Sequence, residues 1–123
     1  MKLVINGTVP SLKNSKQIFR TASGRPFITS SDKAKTWMTT AVAELQEQFK
    51  GYRITDYPIS VALVMYNKDR IRRDLDNQTS SILDAMRHAG VVADDDWKHI
   101  DCLTIQFGGI DKVNPRCEIY IDE

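Results

Sequence analysis

The residues most able to do chemistry lie in the stretch RRDLDNQTSSILDAM, which begins at Arg72. Asp74 and Asp76 stand two positions apart, directly after Arg72 and Arg73. On a helix their side chains would diverge by about 200°, whereas in an extended segment they point to the same side, within about 7 Å of each other. A helix that begins at Asp76 or Asn77 would let both carboxylates face one point. This spacing fits a shared cation better than two helix caps.

A second acidic group, the triplet Asp94–Asp96, follows further along the chain. We expect the intervening helix and the residues VVA to return Asp94 or Asp95 toward the same sheet edge, where either would supply a third carboxylate. Hard oxygen ligands favour magnesium or manganese. Such a cluster can hold one or two ions that activate water and stabilise a leaving oxygen.

Positive charge borders the first pair of aspartates. The net charge is only +1, from 17 basic and 16 acidic residues, so its distribution matters more than its sum. We expect the basic residues here to attract a polyanion whose phosphate completes the metal coordination. Two more lysines in the turn-rich loop GTVPSLKNSK could grip a DNA backbone, or could simply keep an exposed loop soluble. The candidates are Lys68, Arg70, Arg72, Arg73, Lys13 and Lys16.

Several simpler readings compete with a metal site. Asp76 taken alone is a helix N-cap, and the aspartate triplet taken alone is a solvated turn. A calcium-binding EF-hand is excluded, because Thr79 and Ala85 stand where its glycine and glutamate would be. A sugar-nucleotide transferase would need a longer chain, and a phosphatase motif would directly follow an apolar strand.

Three side chains near the acidic groups have structural interpretations. Asp84 is expected to pair with Arg87 or another nearby base. His99 fits a partly buried strand histidine better than a proton carrier. Trp97 is expected to pack in the fold, with stacking on a base as the alternative.

Length and composition predict one domain over residues 1–123, with an ordinary globular composition of 41% hydrophobic and 27% charged residues. No apolar run approaches the ~20 residues that span a bilayer, and no signal-peptide core is visible, so we expect a cytoplasmic protein. Cys102 and Cys117 should face opposite sides of the sheet and stay reduced.

The hydrophobic pattern predicts an α+β fold: a mixed β-sheet with two main helices packed against it. The strand ISVALVMY is apolar on both faces and should be central. The segments KQIFR and RPFIT flank TASG as a hairpin or a loose loop. The predicted elements are strands at 2–6, 59–66, 99–107 and 116–122, and helices at 31–50 and about 77–89, the latter stopped by Gly90.

The stretch RRDLDN, the helix ending HAG and the sequence VVADDDW together resemble the RusA family of Holliday junction resolvases, common in bacteria and their phages. The resemblance covers nearly the whole chain and is most specific at 72–97, while VPSLKNSK and the tryptophan-bearing first helix are similar to the phage branch. The residues that match the family pattern are Asp74, Asp76, Asn77, Leu83, Asp84, Ala85, Gly90, Asp94 and Asp95.

The resemblance implies a function beyond what the residues alone indicate. By it, Asp74, Asp76 and Asp95 are the catalytic, metal-binding carboxylates, and Asp94 assists. It also implies a homodimer that uses Mg²⁺, with Mn²⁺ as a substitute, to make paired symmetric nicks in a four-way DNA junction during recombination and repair. Neither an organic cofactor nor a membrane is expected.

The chain departs from the family pattern at Ser80, where members often carry a lysine that could steady the scissile phosphate. That role could pass to Lys98, Lys13 or Lys16. Three alternatives therefore stay open: a broader nuclease for flaps and other branched DNA, a junction-binding protein without catalysis, and a metal-binding fold with no nucleic-acid role.

Overall fold

The sheet is built around the most apolar strand of the sequence. A computed structural model describes residues 1–10, 16–20, 26–30 and 32–123, with only the backbone pairing described for 16–20 and 26–30. In chain order the elements are β1 (Lys2–Asn6), β2 (Lys16–Arg20), β3 (Pro26–Ser30), α1 (Asp32–Phe49), β4 (Ile59–Asn67), α2 (Leu75–His88), β5 (Ile100–Ile110) and β6 (Arg116–Asp122).

The main sheet has the strand order β1-β6-β4-β5, and β2 pairs with β3 as a separate antiparallel ribbon. Strand β4 runs antiparallel to β6 and parallel to β5. The predicted α+β fold with a mixed sheet is therefore confirmed, with ISVALVMY as an inner strand. The side chains of Val61, Leu63 and Met65 point into a core that both helices cover.

The first helix matches its predicted span closely. It begins at Asp32 and buries Ala41, Leu45 and Phe49. Gly51 follows with φ +78, a left-handed conformation that glycine adopts without steric cost and that ends helices. The expected first residue, position 31, lies outside the described part of the chain.

The second helix begins two residues earlier than predicted. Asp74 has an extended conformation, with φ −79 and ψ 127, and its carbonyl accepts from the backbone N–H of Gln78 at 3.1 Å. Because of that bond, the first helical residue is Leu75 and not Asn77. The helix stops as predicted, because Gly90 adopts φ +79.

Strand β5 is longer than expected, extending three residues beyond the predicted end at position 107. The register against β4 shifts between Met65 and Tyr66, where β5 passes close to the Tyr66 ring. A Cβ at Gly108 would lie 2.7 Å from that ring, so only glycine fits there. The two glycines of β5 thus permit the strand to continue.

The two cysteines are free, as predicted. Cys102 is exposed on β5, Cys117 is buried on β6, and β4 lies between the two strands. Burial raises the pKa of the Cys117 thiol to about 12, so the thiol stays protonated at neutral pH. Among the described residues, neither helix is long and apolar enough to cross a bilayer.

Candidate active site

The start of α2 presents two exposed carboxylates. Asp74 occupies the N-cap position, yet its side chain makes no capping hydrogen bond. Asp76 lies in the first turn, and its Oδ1 accepts from the backbone N–H of Asn77 at 2.9 Å. Both carboxylates are exposed to solvent beside the positive end of the helix. A helix N-cap that leaves its carboxylate uncommitted suggests that this side chain serves a ligand instead.

A buried polar network fixes the position of these aspartates. The Gln78 amide donates to the carbonyl of Val9 at 2.9 Å and to Oδ1 of Asn67 at 3.0 Å. One turn later, the Ser81 hydroxyl donates to the carbonyl of Pro10 at 2.7 Å. These bonds tie the first two turns of α2 to the end of β4 and to the N-terminal segment. Both N–H donors of the buried Gln78 amide are bonded, whereas its Oε1 has no partner among the described residues.

This network was missed in the sequence analysis, although one feature could have revealed it. Gln78 lies one helical turn before Ile82, on the apolar stripe of α2. An amide side chain on a buried helix face is expected to hydrogen-bond to another buried group. Asn67 at the end of an apolar strand is its partner.

The arginines between β4 and α2 differ in whether an acidic side chain binds them. The Asp69 carboxylate accepts from the Ile71 N–H at 3.1 Å and from Nη1 of Arg73 at 2.8 Å. The Arg73 bond, above all, lowers the pKa of the Asp69 carboxyl. Arg73 is thus committed to shaping the loop, whereas Arg70 and Arg72 are exposed and pair with no described residue. Those two guanidiniums are the ones positioned to meet a phosphate.

A cleft of about 290 Å³ lies beside this segment. Arg70 and Arg72 form part of its polar wall, while Leu75 of α2 and Phe107 and Ile110 of β5 contribute apolar surface. The wall therefore combines charge for a phosphate with apolar and aromatic area for a base or sugar.

The acidic triplet after α2 is held by a different set of contacts. The backbone N–H of Ala93 donates to the Tyr57 hydroxyl at 3.2 Å. Asp96 accepts from Nδ1 of His99 at 2.6 Å, and this bond is the main reason that the pKa of the Asp96 carboxyl is lowered. His99 is partly buried, as predicted, with the Tyr57 ring edge-on to it at 4.9 Å. Asp96 is therefore a structural residue of this loop.

The other two aspartates of the triplet differ from Asp96. Oδ1 of Asp94 accepts from the backbone N–H of Asp95 at 2.8 Å, whereas the exposed side chain of Asp95 bonds to no described residue. Trp97 next to them is 75% exposed, so the expectation that it packs in the fold is wrong. The Lys98 ammonium lies over this ring, 5.8 Å from its centroid.

The expectation that both acidic groups lie at one sheet edge is wrong within one chain. Because β4 and β5 are parallel, with Ile59 beside Ile100, α2 must return the chain from the end of β4 to the start of β5. At 1.5 Å per residue its 14 residues span about 21 Å. Asp74 and Asp76 stand at one end of that span and Asp94–Asp96 beyond the other. Accordingly, the described residues include no group of three His, Cys, Asp or Glu side chains that could hold a metal ion.

The remaining predicted residues are placed as follows. Lys68 is exposed at the end of β4, and its backbone N–H donates to the Thr8 hydroxyl at 2.9 Å. Lys13 lies outside the described residues, and only the backbone of Lys16 is described. The predicted pairing of Asp84 with Arg87 is confirmed at 3.3 Å.

Fold and site together define a class: an α+β protein that presents exposed carboxylate oxygens beside two arginines with no partner among the described residues. The model of the family Endodeoxyribonuclease RusA matches residues 9–122. The chain therefore belongs to the RusA endodeoxyribonuclease family, as the resemblance at 72–97 indicated.

One relative is a crossover junction endodeoxyribonuclease RusA from Aquifex aeolicus (strain VF5). It is 38% identical over 81 residues, which make up 66% of this chain. The match spans 62% of the relative's own length, so it relates most, but not all, of that protein to this chain.

Proposed function

We propose that this protein is a Mg²⁺-dependent endodeoxyribonuclease that resolves four-way DNA junctions by paired symmetric nicks, acting as a homodimer in recombination and repair. The observation that carries the proposal is the Asp74 carboxylate at the N-cap of α2, which makes no capping bond. Asp76 follows two residues later, and the adjacent Arg70 and Arg72 have no partner among the described residues. Family membership supports the same chemistry.

The donor set at the start of α2 fits a divalent ion in its chemistry. Carboxylate oxygens are the ligands that Mg²⁺ and Mn²⁺ prefer, and Mg²⁺ commonly uses only one or two protein carboxylates together with substrate phosphate and water. Asp74 and Asp76 would hold the ion, which supplies charge for activating water and stabilising the leaving oxygen when bound. No organic cofactor is needed for hydrolysis of a phosphodiester.

The basic residues have different proposed roles in binding DNA. Arg70 and Arg72 contact phosphates directly, and Lys68 adds positive charge at the end of β4. Arg73 positions the segment through Asp69. Lys13 and Lys16 remain proposed backbone contacts on the strength of the sequence alone.

Asp95 remains the proposed third catalytic carboxylate, with Asp94 assisting, and the geometry constrains how Asp95 can act. Within one chain it lies beyond the far end of α2, a helix about 21 Å long that begins at Leu75. In a homodimer, a second copy of the chain can bring its own Asp95 to the first copy's Asp74 and Asp76. We therefore propose that each site combines carboxylates from both copies.

The proposed setting is the cytoplasm, where junctions in bacterial or phage DNA form. The free thiols of Cys102 and Cys117 fit a reducing compartment.

A labelled synthetic four-way junction tests the proposal, incubated with protein and with Mg²⁺, Mn²⁺ or a chelator. We expect paired nicks at symmetric positions near the crossover with either metal and none with the chelator. Binding without nicks under every metal condition would support a junction-binding protein instead. Cleavage of flaps but not junctions would indicate a nuclease of broader substrate range.

A further inference from the structure

The last residue of β4, Asn67, is a polar side chain held rigidly at the end of an apolar strand. It is only 7% exposed. Its backbone carbonyl accepts from the N–H of Asp111 at 2.8 Å, and its side-chain Oδ1 accepts from Nε2 of Gln78 at 3.0 Å. A side chain fixed in this way keeps one orientation, as a group that recognises a ligand must.

A backbone carbonyl determines which end of the Asn67 amide is free. Nε2 of Gln78 also donates to the Val9 carbonyl at 2.9 Å. A carbonyl oxygen can only accept, so the Gln78 atom that contacts Val9 is the nitrogen, and the Asn67 atom that contacts the same nitrogen is the oxygen. The Nδ2 group of Asn67 therefore points away from Gln78, and its N–H donors bond to no described residue.

These free donors lie at the cleft between the arginines and the end of β5. Nδ2 of Asn67 is not fully buried, and this cleft is the open space that Asn67 borders. Its volume of about 290 Å³ is at the lower end of the range for small-molecule sites, which suits a single base. Its apolar walls are Leu75, Phe107 and Ile110.

The combination of walls favours a nucleobase over a phosphate alone. A phosphate has no use for apolar surface, whereas a base presents an apolar face for stacking and a polar edge for hydrogen bonds. Phe107, 46% exposed, offers a ring to the face, and Asn67 offers N–H donors to the edge. Arg70 and Arg72, on the same cleft, suit the phosphates on either side of that base.

We propose that this cleft holds one nucleobase of branched DNA, and that Asn67 Nδ2 donates to an acceptor atom on the edge of that base. The proposal rests on the proposed function, since it names a residue that selects the sequence at the same site. The N–H groups of Asn67 match the carbonyl oxygens and ring nitrogens of a base and are mismatched to its exocyclic amines. Asn67 therefore makes binding and nicking depend on the base at one position.

The location of the cleft fits this role. Leu75, one of its walls, stands between Asp74 and Asp76 in the chain, so a base in the cleft belongs to a nucleotide close to the proposed metal site. A base beside a branch point enters such a cleft at low cost, because unstacking costs least for a base that has already lost a partner.

Asn67→Asp tests the contact, because aspartate keeps an oxygen for the Gln78 amide but places an acceptor where Nδ2 was. Four-way junctions with each of the four bases at each position next to the crossover are compared, for binding in a chelator and for nicking with Mg²⁺. For the unaltered protein we expect the best and worst bases at one position to differ by about fivefold or more. Asn67→Asp should abolish or invert that order.

Two further variants make the result independent of the added charge. Asn114→Asp is the matched control, because it makes the same substitution at an exposed position after β5 that does not line the cleft. It should keep the original order of bases. The double variant Asn67→Leu, Gln78→Leu removes the donors without adding a charge and leaves neither amide without its partner, so it should flatten the order.

The two readouts separate this contact from the proposed nuclease. An order of bases that is unchanged in Asn67→Asp and in the double variant, with nicking intact, would overturn the contact and leave the nuclease. Equal binding and nicking of all junctions by the unaltered protein would also overturn the contact. An order in binding that depends on Asn67, without nicks under Mg²⁺ or Mn²⁺, would keep the contact and count against the nuclease. Absence of junction binding would overturn both.

Discussion

The two ends of α2 carry acidic groups that differ in how their side chains are used. At the start, the Asp74 carboxylate makes no capping bond, and Arg70 and Arg72 nearby pair with no residue in the described part of the chain. At the far end, Asp96 is bound by His99 and the loop is anchored through the Tyr57 hydroxyl, while the neighbouring Asp95 side chain bonds to no described residue. The difference teaches that acidic density alone does not mark a ligand site. A carboxylate without a structural partner is the more informative observation.

The largest effect at the start of α2 should come from Asp74→Asn. The amide keeps the size of the side chain but loses the charge that a divalent ion needs, so nicking of a four-way junction should fall by at least about 100-fold. Junction binding should survive, since the arginines are untouched. Asp84→Asn is the matched control, because that half-buried carboxylate on the same helix pairs with Arg87 and with no other described residue. Equal loss of binding and nicking would contradict the metal-binding role.

A smaller effect is expected from the cations at the start of α2. Replacing Arg70 and Arg72 together by Gln should weaken junction binding and reduce the slope of log affinity against log salt by about 0.9 per lost phosphate contact. Arg87→Gln, at the other end of the helix, should leave that slope unchanged. An unaltered slope in the double variant would show that these guanidiniums do not reach phosphate.

Arg73 provides a comparison within the same segment. Because Asp69 binds it at 2.8 Å, Arg73→Gln should change the salt slope less than either Arg70→Gln or Arg72→Gln. Its main effect should be a less ordered loop, measured as faster backbone amide exchange at 69–73. A slope change as large as that of Arg72→Gln would mean that Arg73 leaves Asp69 on binding DNA.

The smallest effect should come from Asp96, whose role is structural. The hydrogen bond from His99 lowers the Asp96 pKa in the folded protein, so the unfolded chain binds the extra proton at a higher pH. The resulting stability is present above the unfolded pKa and is lost as the pH falls through the folded one. Acid unfolding below about pH 4 should therefore be shallower in Asp96→Asn. Asp101→Asn, which removes a nearby exposed carboxylate and leaves the bond between His99 and Asp96 in place, is the control.

Much of this architecture could be predicted from the sequence, because its causes are local. The apolar run of β4 and the stripe of α1 fix these elements through side-chain periodicity. Gly90 fixes the end of α2 through its backbone conformation. The start of α2 was misplaced by two residues because an N-cap aspartate and a first-turn aspartate look alike in sequence.

The distance between the acidic groups could not be predicted in the same way. It depends on the parallel pairing of β4 with β5, a long-range property that periodicity does not encode. The exposure of Trp97 and the Gln78–Asn67 bond likewise depend on contacts between distant segments. Motif residues were recognisable, but their relative placement was not.

The most direct test mixes two inactive variants, Asp74→Asn and Asp95→Asn, and allows the subunits to exchange before a junction-nicking assay. If each site combines carboxylates from two copies, every mixed dimer carries one intact site and one site with both changes. Nicking should return to about a quarter of the wild-type initial rate, because half of the randomly exchanged dimers are mixed. If the mixture stays as inactive as either variant while exchange is verified by mass, both carboxylates act within one chain and the account is contradicted.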